Sequence, residues 1–233
     1  MISKIRKFFA EEIAKLRKMS FADKRWYIWE YYKIHIFLTI FALFVTGYLI
    51  HRAVFPPPRD YVYIAWQAGP IHPLLLDELS ESLHPIVPDM ERYVVAVRSY
   101  VISGADPQHD QALITRFHAL LTVGDLHVTL LPYEDLTPNA EFGTIKAIDD
   151  LFPELSPAMY ENARARAVTV DFIDRDGEEV SQMVAIHLAG APLLEELGID
   201  TTNLYLALIS TGNVYSAVAN VLEMMFEGGV LGE

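Results

Sequence analysis

The stretch Ile34–Phe55, IHIFLTIFALFVTGYLIHRAVF, is the one long apolar run in this 233-residue chain. About 20 apolar residues match the hydrocarbon thickness of a bilayer. The charges on its two sides differ in sign. Met1–Lys33 carries nine Lys/Arg against four Asp/Glu, and Pro56–Glu233 carries eight against twenty-seven, a net charge of −19. Lys/Arg excess marks the side that stays in the cytoplasm. The expected organisation is therefore a cytoplasmic segment over 1–33, a transmembrane helix over 34–55, a proline stalk over 56–59 and an extracytoplasmic domain over 60–233. A cleaved signal peptide has a short basic region, a 7–15-residue core and a small-x-small cleavage site. The long basic segment, the long core and Ile50-His51-Arg52-Ala53-Val54 do not fit that pattern. The expected location is the cell membrane, with one pass and the C-terminal domain outside.

Working outward toward the N-terminus, Ile2, Ile5, Phe9, Ile13 and Leu16 recur at helical steps, with Lys4, Arg6, Lys7, Lys15, Arg17 and Lys18 between them. This pattern is an N-terminal amphipathic helix, suited to lie on an anionic leaflet or to pack on a cytoplasmic partner. Ser20 reads as an N-cap with Asp23 three residues on. A helix from Phe21 should run straight into the span. Trp26, Tyr27, Trp29, Tyr31 and Tyr32 form an aromatic belt at headgroup depth. Thr39 and Thr46 can bond carbonyls of their own helix, and no charge precedes Arg52, so the span is an anchor rather than an ion path. Pro56-Pro57-Pro58 stops the helix and stiffens the exit.

The remaining ~178 residues suffice for one domain with its own core. Its acidity excludes nucleic acid and anionic lipid as partners of this domain. The absence of cysteine excludes disulfides and thiolate chemistry. Strands are expected at Tyr61–Trp66, Tyr93–Tyr100 and Leu126–Leu131. They alternate with helices at Pro73–Leu83, on a face of Leu75, Leu79 and Leu83, and at Asp110–Thr122, on a face of Leu113, Ile114, Phe117 and Leu121. This alternation implies βαβ units and a parallel core. Short helices broken at Pro138 and Pro153 should fill Tyr133–Phe152. A hairpin follows, Ala167–Ile173 and Val180–Leu188 around Asp174-Arg175-Asp176-Gly177. Leu204–Ile209 is a further strand. Asn213 is positioned to cap a last helix buried on Val214, Val218, Val221, Leu222 and Met225, closed by Gly228-Gly229. The fold class is α/β: a single-lobe α/β sandwich with one antiparallel hairpin.

Several of these segments resemble a known family. The strand ending in Trp66, the helix Leu74–Leu83, the strand Tyr93–Ser99, Ala119–Leu131 with Val123-Gly124-Asp125, and Ala147-Ile148-Asp149-Asp150-Leu151 resemble lobe one of bacterial extracellular solute-binding proteins. Met183–Leu188 resembles the strand before lobe two, and Leu204–Phe226 the return to lobe one. The segment KRWYIWEYYKIHIF is similar to the start of single-span surface proteins of Firmicutes. The resemblance implies a periplasmic-binding-protein-like fold. Between Leu188 and Leu204, however, stand only the 15 residues Ala189–Asn203, too few for a second lobe. Hinge closure around a solute needs two lobes.

Chemistry-bearing motifs are sparse. Asp149-Asp150 are neighbours that do not face each other on a helix, Glu178-Glu179 follows a turn, and Asp174 and Asp176 lack the further ligands of a calcium loop. The eight histidines form no HExxH, and no nucleophile elbow, P-loop or GxGxxG occurs. No catalytic residue, metal site or cofactor is therefore expected. Ligands of open α/β sheets sit beyond the carboxyl ends of the parallel strands, which selects Trp66, Gln67, Asp125 and Tyr133 as candidate ligand-binding residues. The expected function is a non-enzymatic, membrane-anchored interaction domain, a subunit or accessory of a cell-envelope assembly. Its partners would be the bilayer through 34–55 and a protein or a second copy of itself. The alternative is a tethered solute-binding or sensing module.

Overall fold

The computed structural model describes residues 14, 17, 19–56, 58–174, 177–212 and 214–227, and divides the chain into two compact units, Met1–Pro57 and Pro58–Glu233. The expected amphipathic face Ile2–Leu16, and Pro57, Arg175, Asp176, Asn213 and Gly228-Gly229, lie outside the described residues.

In the first unit, helix α1 (Phe21–Val54) runs without a break. Ser20 caps it: its Oγ accepts from the Asp23 amide at 3.3 Å and donates to the Asp23 carboxylate at 2.6 Å. Thr39 Oγ1 donates to the His35 carbonyl at 2.8 Å, which satisfies the hydroxyl within its own helix. The last turn closes through the Phe55 amide on the His51 carbonyl, and Pro56 has no amide hydrogen with which to continue. Within Trp29–Val54 an 18-residue stretch has a mean hydropathy of 1.9 and none of that stretch is buried, so the helix is long and apolar enough to cross a membrane. At ~1.5 Å per residue the whole 34-residue helix is about 51 Å long.

In the second unit, strands β1 (Arg59–Trp66), β2 (Tyr93–Ser99) and β3 (Val128–Leu131) are separated by helices α2 (Pro73–Ser82) and α3 (Pro107–Val123). Asp106 caps α3 through the amides of Gln108 and His109. Gly124 ends it at φ 77°, a left-handed conformation that glycine adopts without a Cβ clash. Next come α4 (Leu136–Glu141), β4 (Ile145–Lys146), α5 (Pro157–Ala165), the hairpin β5 (Ala167–Ile173) and β6 (Glu179–His187), α6 (Pro192–Glu196), β7 (Tyr205–Ile209) and α7 (Tyr215–Glu227). The sheet order is β2-β1-β3-β7-β6-β5, with β4 also on β7. β1 is parallel to both neighbours. β7 runs antiparallel to β3, to β6 and to β4. The sheet is thus mixed, and its antiparallel part is larger than the single hairpin expected from sequence. The reason lies in the link between β6 and β7. The Leu188 amide bonds the Leu204 carbonyl, so the connection closes on itself and β7 returns beside β6.

Other differences from the sequence expectation are local. The buried face of α2 is Leu76, Leu79 and Leu83, a close variant of the expected stripe shifted by one residue at its start. Pro138 does not break a helix; it sits in the first turn of α4, where an amide hydrogen is not required. Pro153 lies inside a 3-10 helix, Asp149–Glu154. Helix α5 was not anticipated, although Ser156 caps it and Pro157 occupies its first position.

Register makes the two faces of the sheet unequal. Trp66, Leu130, Leu206 and Ile186 form one row across four strands, and all four belong to the core under α2 and α7. The neighbouring row, Ala65, Thr129, Ala207 and Ala185, points to the other face under α3 and α4, and every member is fully buried. Each bulky side chain on the first face contributes about 1.5–3 kcal/mol by leaving water.

Gly212 marks the tightest backbone approach, where an added Cβ would lie 3.0 Å from the His127 Cα and 3.2 Å from the Leu126 and His127 carbonyls. Gly212→Ala is expected to destabilise the domain by about 1–3 kcal/mol, because backbone must shift to admit it. Denaturant unfolding of the full chain measures this, and an unchanged midpoint would contradict the packing described.

Candidate functional site

The order β2-β1-β3 places the link from β1 to β2 through α2 on one face. The link from β2 to β3, through α3, crosses on the other. The carboxyl ends of β1 and β3 therefore flank a switch point, where open α/β sheets hold ligands. A crevice of about 520 Å³ lies there, bordered by Trp66, Gln67, His72, Glu134, Asp200 and Asn203. Two of the four candidate residues line it, and Tyr133 stands beside it between Pro132 and Glu134. Trp66 offers no stacking face: its ring is 4% exposed and its indole N–H donates to the Gly69 carbonyl at 2.8 Å. Gln67 Oε1 accepts from Thr129 Oγ1 at 2.9 Å. Tyr133 is half exposed; its amide donates to Asn203 Oδ1 at 3.0 Å and its ring packs 5.7 Å from Tyr205, which stacks on His187.

The polar groups of this crevice are largely engaged with one another. Asn203 donates to Glu134 at 3.0 Å, and this bond holds the exposed Glu134 carboxyl below the usual range. Thr202 does the same for Asp200 through its hydroxyl and amide. Burial raises Asp135, and the Glu134 charge adds to that. Ionised carboxylates at neutral pH make the crevice a place for hydrogen-bond donors.

Asp125 belongs elsewhere, which corrects the sequence expectation. It precedes β3, so it lies at the amino ends of the parallel strands, opposite Trp66 and Gln67. Its neighbours are Asp60 and His127. The Asp60 carboxyl is raised mainly by burial and further by the Asp125 charge, against the pull of Arg98 and Arg116. Burial lowers His127, which Asp125 partly opposes, and His127 Nδ1 accepts from the Tyr63 amide at 2.9 Å. Asp149 and Asp150 open a 3-10 helix, where Asp150 accepts from the Tyr215 hydroxyl at 3.0 Å, itself bonded to Lys146. Among the described residues, no group of three or more His, Asp or Glu is placed to hold a metal ion.

A second cavity was not anticipated. It is a groove of about 670 Å³ between α3 and the α4–β4 segment, walled by Ile102, Leu113, Ile114, Phe117, Leu121 and Phe142. None of its lining residues is Asp, Glu, Lys or Arg. Ile102 and Phe142 stand 58% and 72% exposed. At its floor the Tyr63 and Tyr100 hydroxyls lie 2.7 Å apart, and burial pushes the Tyr100 phenol well above its usual value. Sequence periodicity assigns Leu113, Ile114, Phe117 and Leu121 to the core. The available signal was Ile102 and Phe142, large apolar residues outside any buried stripe.

No family model, curated protein or solved structure matches this chain.

Asp125→Asn should lower the apparent pKa of both Asp60 and His127. It removes a negative charge that disfavours ionising the first and favours protonating the second. Asp60 is raised when folded, so its ionisation costs stability above its folded pKa. Asp125→Asn should therefore stabilise the fold at neutral pH and lose that gain as Asp60 protonates in acid. NMR titration and unfolding midpoints across pH test both; opposite shifts would refute the placement.

Proposed function

We propose that this protein is a single-span membrane anchor carrying an extracytoplasmic interaction domain, a non-enzymatic subunit or accessory of a cell-envelope assembly. The observation that carries the reading is a groove with exposed Ile102 and Phe142 and no Asp, Glu, Lys or Arg in its lining, on a body with twenty-seven carboxylates. Exposed apolar surface of this kind is a mark of interaction sites rather than of solubility. The anchor reading is supported by the exposed apolar helix Trp29–Val54, with Lys/Arg excess before it and acidic residues after it. Exposed Trp26, Trp29 and Tyr31 on the same helix suit headgroup depth. The proposed fold relationship, a one-lobe relative of solute-binding proteins, is supported by the parallel β2-β1-β3 trio with helices on both faces. Because the chain has no cysteine, topology is tested by placing one at Ser3 or Glu233 and labelling intact cells with an impermeant thiol reagent. Glu233→Cys should label in intact cells and Ser3→Cys only after lysis; the reverse pattern overturns the reading.

One observation favours a second reading, a tethered solute-binding or sensing module: the crevice at the switch point, with Gln67, Glu134 and Asn203 on its border. Such a site takes donor-rich solutes. A thermal-shift panel of sugars, amino acids and short peptides should then raise the melting temperature, and Asn203→Ala should abolish the rise. A flat panel removes this reading.

A further inference from the structure

Resting on the solute-binding reading above, we infer that the crevice at the carboxyl ends of β1 and β3 holds a stretch of a neutral saccharide chain, with the Tyr133 ring as the platform for one sugar. Three observations lead there. The first is the set of hydrogen-bonding groups left over on the crevice border. Asn203 engages one oxygen of Glu134 and Thr202 one oxygen of Asp200. Glu134 Oε1 and Asp200 Oδ2 remain as acceptors with no side-chain donor among the described residues. Gln67 uses its Oε1 on Thr129 and keeps its Nε2 hydrogens, while Asn203 keeps one of its Nδ2 hydrogens. His72 Nδ1 accepts from the Leu74 amide at 3.3 Å, which puts the ring hydrogen on Nε2. Acceptors and donors thus border one space. A cation would meet donors it cannot use, and an anion would meet the carboxylates. A hydroxyl donates and accepts through one oxygen, so a ligand rich in hydroxyls satisfies both sets.

The second is what the surroundings disfavour. The crevice lining contains no Lys or Arg, on a body with eight Lys/Arg against twenty-seven Asp/Glu, so an acidic saccharide is repelled. β1 and β3 are interior strands, each paired on both sides. They offer no free edge on which the main chain of a peptide could add as a further strand.

The third is the aromatic platform. Tyr133 lies between the lining residues Pro132 and Glu134 and is 52% exposed. Asn203 holds its amide, its ring rests against Tyr205, and Tyr205 stacks on His187 at 4.6 Å. An exposed ring propped by two others is already ordered. The C–H face of a sugar packs on such an apolar plate while its hydroxyls reach the polar rim. Only residues 188–204 link β6 to β7, too few for a second lobe, so the ligand is not enclosed. That suits one stretch of a chain that continues past both ends of the crevice. On the anchor reading, neighbouring copies in one membrane would hold the same chain at several points, and linked contacts raise the overall affinity without closure.

The test uses full-length protein in nanodiscs, free of glycoside detergents. It is melted with increasing cellotetraose, chitotetraose, tetragalacturonate, tetralysine, tetraglycine or free amino acids. The neutral saccharides should raise the melting temperature and the other probes should not. Tyr133→Ala should weaken the apparent saccharide affinity about tenfold, and Tyr133→Phe, which keeps the ring, less than about twofold. Asp200→Ala removes an acceptor at an exposed position without touching the ring, and should weaken it about fivefold. Stabilisation by peptides or amino acids but not by saccharides would overturn the saccharide class and leave the solute-binding reading intact. An equal response to tetragalacturonate would overturn the neutral ligand. A saccharide response unchanged in both Tyr133→Ala and Asp200→Ala would overturn the placement. No response to any probe would overturn the inference and the solute-binding reading together.

Discussion

The architecture of the acidic domain depends on β7. Its five residues bond β3 on one side and β6 and then β4 on the other, so a parallel half and an antiparallel half become one sheet. Its side chains also set the difference between the faces. Leu206 and Leu208 point to the core that contains α7, and Ala207 and Ile209 to the other. Bulky rows require thick helical cover, which α2, α6 and α7 provide through Leu76, Leu79, Leu193, Leu194, Val221 and Leu222. The small row needs less, and α3 gives it less. Leu113, Phe117, Leu120 and Leu121 reach that core but remain partly exposed.

Polar groups follow the same division. At the carboxyl ends, Asn203 ties Glu134 and the Tyr133 amide into one network, and Thr129 ties Gln67 to the sheet. At the amino ends, Asp60 and Asp125 lie near the partly buried His127, and the charges of Arg98 and Arg116 pull the Asp60 carboxyl down against its burial. The groove lining contains no Asp, Glu, Lys or Arg.

Sequence reading succeeded where one rule dominates. The hairpin strand Ala167–Ile173 follows from β-branched residues ahead of an Asp-Gly turn, and the cap Ser20 from a hydroxyl three residues before an acid. The buried stripe Val218, Val221, Leu222 and Met225 follows from helical spacing. It failed where two rules compete. Helix α5 carries Ser156-Pro157, a strong start signal, but buries only Met159 and Ala163, so its apolar period is faint. Strand direction leaves no mark on a strand's own residues, and β7 could be placed only through the Leu188–Leu204 closure. Asp125 was assigned to the wrong end because a residue next to a strand was read without asking which terminus it adjoins. Trp66, Gln67 and Tyr133 stand at the carboxyl ends because Trp66 closes β1, Gln67 follows it and Tyr133 comes shortly after β3. The groove stayed hidden because periodicity identifies which side chains share a face, not how completely that face is covered.

The β6–β7 connection bears on both functional readings. Ala189–Asn203 folds into α6 and a loop that tuck Leu193, Leu194 and Ile199 into the core, while Thr201 accepts from the Gly190 amide at 3.2 Å. Its apolar residues are spent on the domain's own core, and its loop supplies Asp200 and Asn203 to the crevice border. A solute there would meet one wall from β1 and β3 and another from this loop, with no second body to close over it. Burial of most of a ligand's surface is what gives small-molecule sites their affinity, and an open crevice of engaged carboxylates provides little of it. The groove has the converse character. Its lining combines Leu113, Ile114, Phe117 and Leu121 with uncharged polar groups, Ile102 follows β2 and Phe142 precedes β4, and a protein surface can cover it without hinge closure. On these grounds we prefer the proposal of protein contact beside α3 to that of solute binding in the crevice.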